Sequence, residues 1–129
     1  MRTILLVEDD DDTREALAEG LRLSGFEVTT FRTGIHAIEY LGCEKPDAVV
    51  LDSALPWVDG EEVLKAMRTS PRLKDVPAVI ITADPRRLGR AQTLTPYVIA
   101  KPFDTGMLVA LLGRLVEESG SAENAGSAA

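Results

Sequence analysis

Five polar residues stand at the ends of short apolar runs. Glu8 and Asp9 follow TILLV (3–7), Asp52 closes AVVLD (48–52), Thr82 closes AVIIT (78–82), and Lys101 follows YVIA (97–100). If these runs are neighbouring strands, their ends bring three carboxylates, a hydroxyl and an ammonium to one rim. Carboxylates held this close repel one another and call for an opposing charge. Oxygen ligands with no His or Cys among them point to a hard divalent ion, Mg²⁺ or Mn²⁺. Lys101 adds a second positive charge. A metal, a lysine and a hydroxyl donor together suit a phosphoryl group, whose in-line transfer needs mainly positioning and neutralisation of its oxygens. Asp52, at the end of the central run, is the candidate nucleophile.

The elements that must position these residues are legible in the hydropathy pattern. The runs at 3–7, 48–52 and 78–82 are apolar almost throughout, as strands buried on both faces of a parallel sheet are. EVTTF (27–31) is more polar and suits an edge strand. Between the runs lie helical patterns. Leu17 and Leu21 share a face over 14–24; Ile35, Ile38, Tyr40 and Leu41 mark a second helix before Gly42; Val63, Leu64 and Met67 mark a third after the turn pair Asp59-Gly60; 104–118 is the fifth. Asp84-Pro85 signals the start of a fourth helix, which Gly89 and the Thr93, Thr95, Pro96 cluster keep short. The order (βα)₅ implies a doubly wound α/β sheet with right-handed crossovers. Such sheets carry their sites at the carboxyl ends of the strands, where the five residues fall.

The rest of the composition narrows the function. Fourteen basic against 21 acidic side chains give a net charge of −7, which disfavours direct contact with nucleic acid or an anionic membrane. The single cysteine, Cys43, makes neither an internal disulfide nor a zinc site and is expected to be a small apolar filler near a helix end. No apolar run approaches the ~20 residues of a membrane span, and TILLV runs straight into acidic residues, unlike a signal peptide. The expected location is cytoplasmic. Residues 1–118 are expected to form the domain, and 119–129, small and polar, a disordered tail.

ILLVEDD with Arg14 following, PDAVVLD, LPWVDG, VIITA and KPF, in that order, resemble the receiver domains of two-component response regulators over about residues 3–118. The resemblance implies a flavodoxin-like fold with strand order 2-1-3-4-5. It implies that Glu8 and Asp9 bind Mg²⁺, directly or through water, and that Asp52 is both metal ligand and phosphoacceptor. The backbone carbonyl of Ala54 becomes a further ligand. Thr82 donates to a phosphoryl oxygen, Ala83 leaves room for the group, Lys101 pairs with Asp52 and then with the phosphate, and the Lys101–Pro102 peptide is cis. The implied partners are a histidine kinase or histidine phosphotransfer protein and a downstream effector protein. The domain would be a switch that assists its own phosphorylation and dephosphorylation, and not an enzyme.

Plainer roles exist for several of these residues. Asp10, Asp11 and Asp12 read as cap and helix-dipole residues, Asp59-Gly60 as turn chemistry, and His36 as a surface residue. Trp57 reads either as loop packing or as an exposed aromatic that a partner touches. The chain also departs from the resemblance. The usual switch aromatic three residues before the lysine is Val98, while Tyr97 sits one residue earlier and so faces the other side of the sheet. The stretch between Thr82 and Lys101 is short, and TLTP replaces the usual small pair before the fifth strand. These departures support an alternative, a phosphorylation-independent adaptor with an atypical readout through the short fourth helix. An aspartyl phosphatase is disfavoured, since the acid/base position two residues after the nucleophile is Ala54. The broadly apolar last helix (Met107, Leu108, Val109, Leu111, Leu112, Leu115, Val116) suggests a homodimer or a partner contact there.

Overall fold

The computed structural model describes the backbone of residues 2–128 and the side chains of residues 2–119. The five β-branched runs are strands: β1 (Thr3–Val7), β2 (Glu27–Phe31), β3 (Ala48–Asp52), β4 (Ala78–Thr82) and β5 (Tyr97–Ala100). They alternate with α1 (Asp11–Leu23), α2 (Gly34–Cys43), α3 (Gly60–Thr69), α4 (Leu88–Gln92) and α5 (Thr105–Ala128), with a 3₁₀ turn over Pro85–Arg87 leading into α4. All pairings are parallel, in the order β2-β1-β3-β4-β5. This is the flavodoxin-like arrangement expected from the sequence.

Alternation along each strand divides the core in two. Leu5, Val7, Val49, Leu51 and Ile80 face α2 and α3, joined by Val63, Leu64 and Met67. Ile4, Leu6, Val50, Val79 and Ile81 face α1 and α5, joined by Leu17, Leu21, Leu108 and Leu112. β1, β3 and β4 are covered on both faces, whereas β2 and β5 are half-exposed edges. Burying a Leu, Ile or Val side chain contributes roughly 1.5–3 kcal/mol each, so these two layers fix the register of every strand. That register pairs Val7 with Leu51, Asp52 with Ile81, and Thr82 with Ala100. The residues that follow therefore emerge side by side on one rim.

Helix starts obey side-chain capping. Asp10 accepts from Thr13 N at 2.9 Å, Thr33 from His36 N at 3.2 Å, and Asp59 from Glu62 N at 2.9 Å. The Asp10 cap begins α1 at Asp11, three residues before the start the apolar pattern gives. α2 differs in detail from its expected face. Gly34, Ala37 and Leu41 are buried, Ile35 and Ile38 point outward, and the helix runs through Gly42 to Cys43. Cys43 is exposed and fills no core position, because it falls on the outward turn that ends α2. The expected tail at 119–129 lies, from residue 120 on, outside the residues whose side chains are described.

Candidate functional site

Asp52 closes a fully buried strand and is itself 3% exposed. Its Oδ2 accepts from Lys101 Nζ at 2.9 Å, and its Oδ1 accepts from the Ala54 N–H at 2.9 Å. Lys101 reaches it from the end of β5, where its own N–H donates to Thr82 O at 2.8 Å and the Lys101–Pro102 peptide is cis. The same ammonium donates to Glu8 Oε1 at 3.1 Å and lies 3.0 Å from Oε2. Glu8 is fully buried, and its backbone is gripped on both sides. Its N–H donates to Phe31 O at 3.1 Å, and Arg14 Nη1 donates to its carbonyl at 3.0 Å. Arg14 is held in turn by Asp11, which also pairs with Arg32.

Carboxylate oxygens of Glu8, Asp9 and Asp52 come within 4.8 Å of one another, with Asp9 exposed at the mouth. Burial, and then the neighbouring Asp52, push the Glu8 carboxyl up to about 7; the Lys101 ammonium only partly offsets this. Burial by itself lowers Lys101, yet its hydrogen bonds to Asp52 and Glu8 outweigh that effect and hold the ammonium above its ordinary value. Glu8 Oε2 is buried, with the Lys101 ammonium 3.0 Å away. Three converging carboxylates served by the Lys101 ammonium make a pocket short of positive charge. The donor set therefore fits a hard divalent cation with oxygen ligands.

Thr82 is buried at the end of β4. Its hydroxyl accepts from Asp84 N at 3.1 Å and donates to Asp84 O at 3.3 Å, so it is engaged by its own loop. Ala54 and Ala83 are exposed on the two loops that flank Asp52. Asp84 is held by Arg86 at 3.0 and 3.1 Å, which keeps its carboxyl below the usual range. Of the residues singled out in the sequence, Glu8, Asp9, Asp52 and Lys101 meet at one point, and Thr82, Ala54 and Ala83 line its rim.

Around this point the roles of Gly60, Arg87 and Thr95 had no clear signal in the sequence, whereas the placements of Tyr97, Val98 and His36 are those expected from it. Gly60 does more than turn the chain. A Cβ there would lie 2.2 Å from Asp52 O, so only glycine lets α3 start against the end of β3. Arg87, in the 3₁₀ turn, donates to Ser53 O at 2.9 Å and reaches Asp59 Oδ2 at 3.3 Å and Glu61 Oε2 at 3.4 Å. Thr95 is buried and ties the starts of β4 and β5, donating to Ala78 O at 2.7 Å and accepting from Tyr97 N at 3.1 Å. Trp57 is 81% exposed with φ at 64°, a left-handed conformation that costs a bulky residue energy. It does not pack the loop. Tyr97 and Val98 sit on opposite faces, Tyr97 with the α1/α5 core and Val98 with the α2/α3 core. His36 is exposed and bonds Thr33 Oγ1 through Nδ1 at 2.7 Å.

Residues 4–113 match the response regulator receiver domain family. The chain belongs to that family and is a receiver domain of two-component signalling. It is 38% identical over 128 residues to the transcriptional regulatory protein PrrA of Mycobacterium tuberculosis, covering 96% of this chain and 54% of that protein. The chain thus spans about half the length of the curated relatives it matches. Among solved structures, it superposes on the signal receiver domain of a signal transduction histidine kinase from Syntrophus aciditrophicus with a TM-score of 0.85 and 27% identity, over 92% of each chain. It also superposes on the receiver domain of a sensor histidine kinase from Pseudomonas aeruginosa PAO1 with a TM-score of 0.81 and 29% identity, over 90% of this chain and 98% of the other. That neighbour holds a magnesium ion coordinated in its active-site cleft.

Proposed function

We propose that this receiver accepts a phosphoryl group on Asp52 from a histidine kinase or histidine phosphotransfer protein and signals the change by protein–protein contact. The observation that carries this reading is the Lys101 ammonium, 2.9 Å from Asp52 and about 3 Å from Glu8, set against the converging carboxylates of Glu8, Asp9 and Asp52. Glu8, Asp9, Asp52 and the Ala54 carbonyl would hold Mg²⁺, with Mn²⁺ as a substitute. The ion would neutralise charge on the phosphoryl oxygens.

An Asp52 carboxylate oxygen attacks phosphorus in line. The P–N bond to the donor histidine breaks, its electron pair stays on the imidazole nitrogen, and an acyl phosphate P–O bond forms. Lys101, already bonded to Asp52, moves its charge to the new phosphate. Thr82 leaves the Asp84 backbone and donates to a phosphoryl oxygen. The role is that of a phosphoacceptor in the cytoplasm. Among the described residues no helix is long and apolar enough to cross a membrane. The half-exposed face of α5, with Met107 at 74% exposure, would meet a downstream effector or a second copy.

One observation favours the second reading, an adaptor that ignores phosphate: Val98 leaves the site without the usual aromatic that follows Thr82. Beryllium fluoride with Mg²⁺ separates the two. A phosphoacceptor binds it and shifts its amide spectrum around Asp52, Thr82 and Lys101. An unchanged spectrum at saturating Mg²⁺ and fluoride rejects the phosphoacceptor reading.

A further inference from the structure

With Val98 in place of an aromatic and Tyr97 on the far face, the fold lacks the usual side chain to tell α4 what has happened at Asp52. A different connection is present. The peptide joining Ser53 to Ala54 is one rigid plane, with the Ser53 carbonyl on one side and the Ala54 N–H on the other. Both ends are occupied. Arg87 Nη1 donates to the carbonyl at 2.9 Å, and the N–H donates to Asp52 Oδ1 at 2.9 Å. The chain from the 3₁₀ turn to the phosphoacceptor is therefore two hydrogen bonds long and passes through a single peptide. A cation at the carbonyl polarises the plane and strengthens the bond its N–H gives to the carboxylate.

The far end of the relay is anchored. Arg87 also reaches Asp59, the cap of α3, and Glu61, which is 4% exposed. Glu61 Oε1 is buried with no donor, and Arg90 of α4 lies 3.7 Å from Oε2. Arg87 and Arg90 are thus the cations on α4 and its leading turn that face two carboxylates at the start of α3, its cap Asp59 and Glu61 of its first turn. The Arg87 side chain is 26% exposed, so solvent does not replace these bonds freely.

We infer that Arg87 is a positioning residue that couples the phosphorylation state of Asp52 to α4 through the Ser53–Ala54 peptide; the inference rests on the phosphoacceptor reading above. Turning Oδ1 of Asp52 from a carboxylate oxygen into part of an acyl phosphate weakens it as an acceptor. The peptide plane then loosens its hold on Arg87, and the 3₁₀ turn and α4 are released. Coupling of this kind is reciprocal, so loss of Arg87, which holds the unphosphorylated arrangement, shifts the equilibrium at Asp52 toward the phosphorylated one.

The test compares wild type, Arg87→Ala and Arg87→Lys. Phosphorylation by acetyl phosphate with Mg²⁺ is followed by mass, and beryllium fluoride affinity and amide exchange over residues 84–92 are followed across a beryllium fluoride titration with Mg²⁺. The wild type is expected to phosphorylate and to lose protection over 84–92 when beryllium fluoride binds. Arg87→Ala is expected to bind beryllium fluoride with Mg²⁺ about tenfold more tightly, because the charge-assisted hydrogen bond it loses favours the unphosphorylated state. Its 84–92 amides are expected to be equally exposed in both states. Arg87→Lys, which keeps the charge, restores part of the wild-type affinity and of the response. If Arg87→Ala does not unfold cooperatively, Arg87→Lys is read alone, and its response must be smaller than wild type. A wild type that phosphorylates, with variants that match it in beryllium fluoride affinity and exchange response, overturns the inference and leaves the phosphoacceptor reading standing. A wild type that does not phosphorylate overturns both.

Discussion

Protonation of Glu8 and binding of Mg²⁺ are expected to compete, and the competition sets a measurable pH dependence. Glu8 is fully buried, faces Asp52, and has its carboxyl raised from 4.5 to about 7. A cation that binds only the ionised form sees an affinity scaled by the ionised fraction. For a group at about 7, that fraction is roughly one tenth at pH 6 and nine tenths at pH 8, so the apparent Mg²⁺ affinity is expected to rise about tenfold between them. Calorimetric titration in two buffers of different ionisation enthalpy reads both the affinity and the proton released, close to one per ion at pH 6 and near zero at pH 8. Glu8→Gln is expected to bind more weakly and to flatten the pH dependence. The same shift has a sign for stability. The folded state holds the Glu8 proton where the unfolded chain, at 4.5, has lost it, so this stabilisation is complete below 4.5. It is lost as pH rises through 7, amounting to on the order of 3 kcal/mol. In the metal-free protein the denaturation midpoint is therefore expected to fall from pH 5 to pH 8, and Mg²⁺ to restore it at pH 8. Equal Mg²⁺ affinities at pH 6 and pH 8, with no proton released at either, would refute the reasoning.

Other outcomes follow from single contacts. Gly60→Ala sets a methyl group 2.2 Å from Asp52 O, and is expected to cost about 1–3 kcal/mol in denaturant unfolding and to reduce phosphorylation by shifting Asp52; an unchanged midpoint would contradict the close approach. Thr95→Val leaves Ala78 O without its donor and is expected to cost about 1–3 kcal/mol, with exchange rising at the starts of β4 and β5; a neutral effect would show that the hydroxyl does not tie them. The phosphoryl group, once on Asp52, is expected to persist for many minutes. Ala54 has no polar group to orient an attacking water, and Asp84 is turned to Arg86. Decay within seconds, read by mass after removal of donor, would show that another group orients the water.

The strands were legible because central positions such as Val49 to Leu51 and Val79 to Ile81 are apolar on both faces, a pattern a parallel sheet alone needs. The convergence of Glu8, Asp9, Asp52 and Lys101 followed from the rule that such sheets carry chemistry at their carboxyl edge. Finer features were not legible. α1 begins at Asp11 because a cap, and not the apolar period, sets its start. Ile35 and Ile38 face out because Ala37 and Leu41 take the inward positions of α2 and Gly34 lies against the Val58 carbonyl, which a Cβ would approach to 2.2 Å, a choice made by packing between elements. Arg87 carries no motif. Its partners lie 26 to 34 residues away, and only the tertiary fold brings its guanidinium to the Ser53 carbonyl. The opposite orientation of Tyr97 and Val98 was readable, since strand alternation fixes it.

The reading of the site as a phosphoacceptor is tested most directly by incubating the chain with acetyl phosphate and Mg²⁺ beside Asp52→Asn, and weighing both. A gain of one phosphoryl mass in the wild type, absent without Mg²⁺ and absent in Asp52→Asn, is the expected result. No gain in the folded, metal-loaded wild type, or an equal gain in Asp52→Asn, would contradict it.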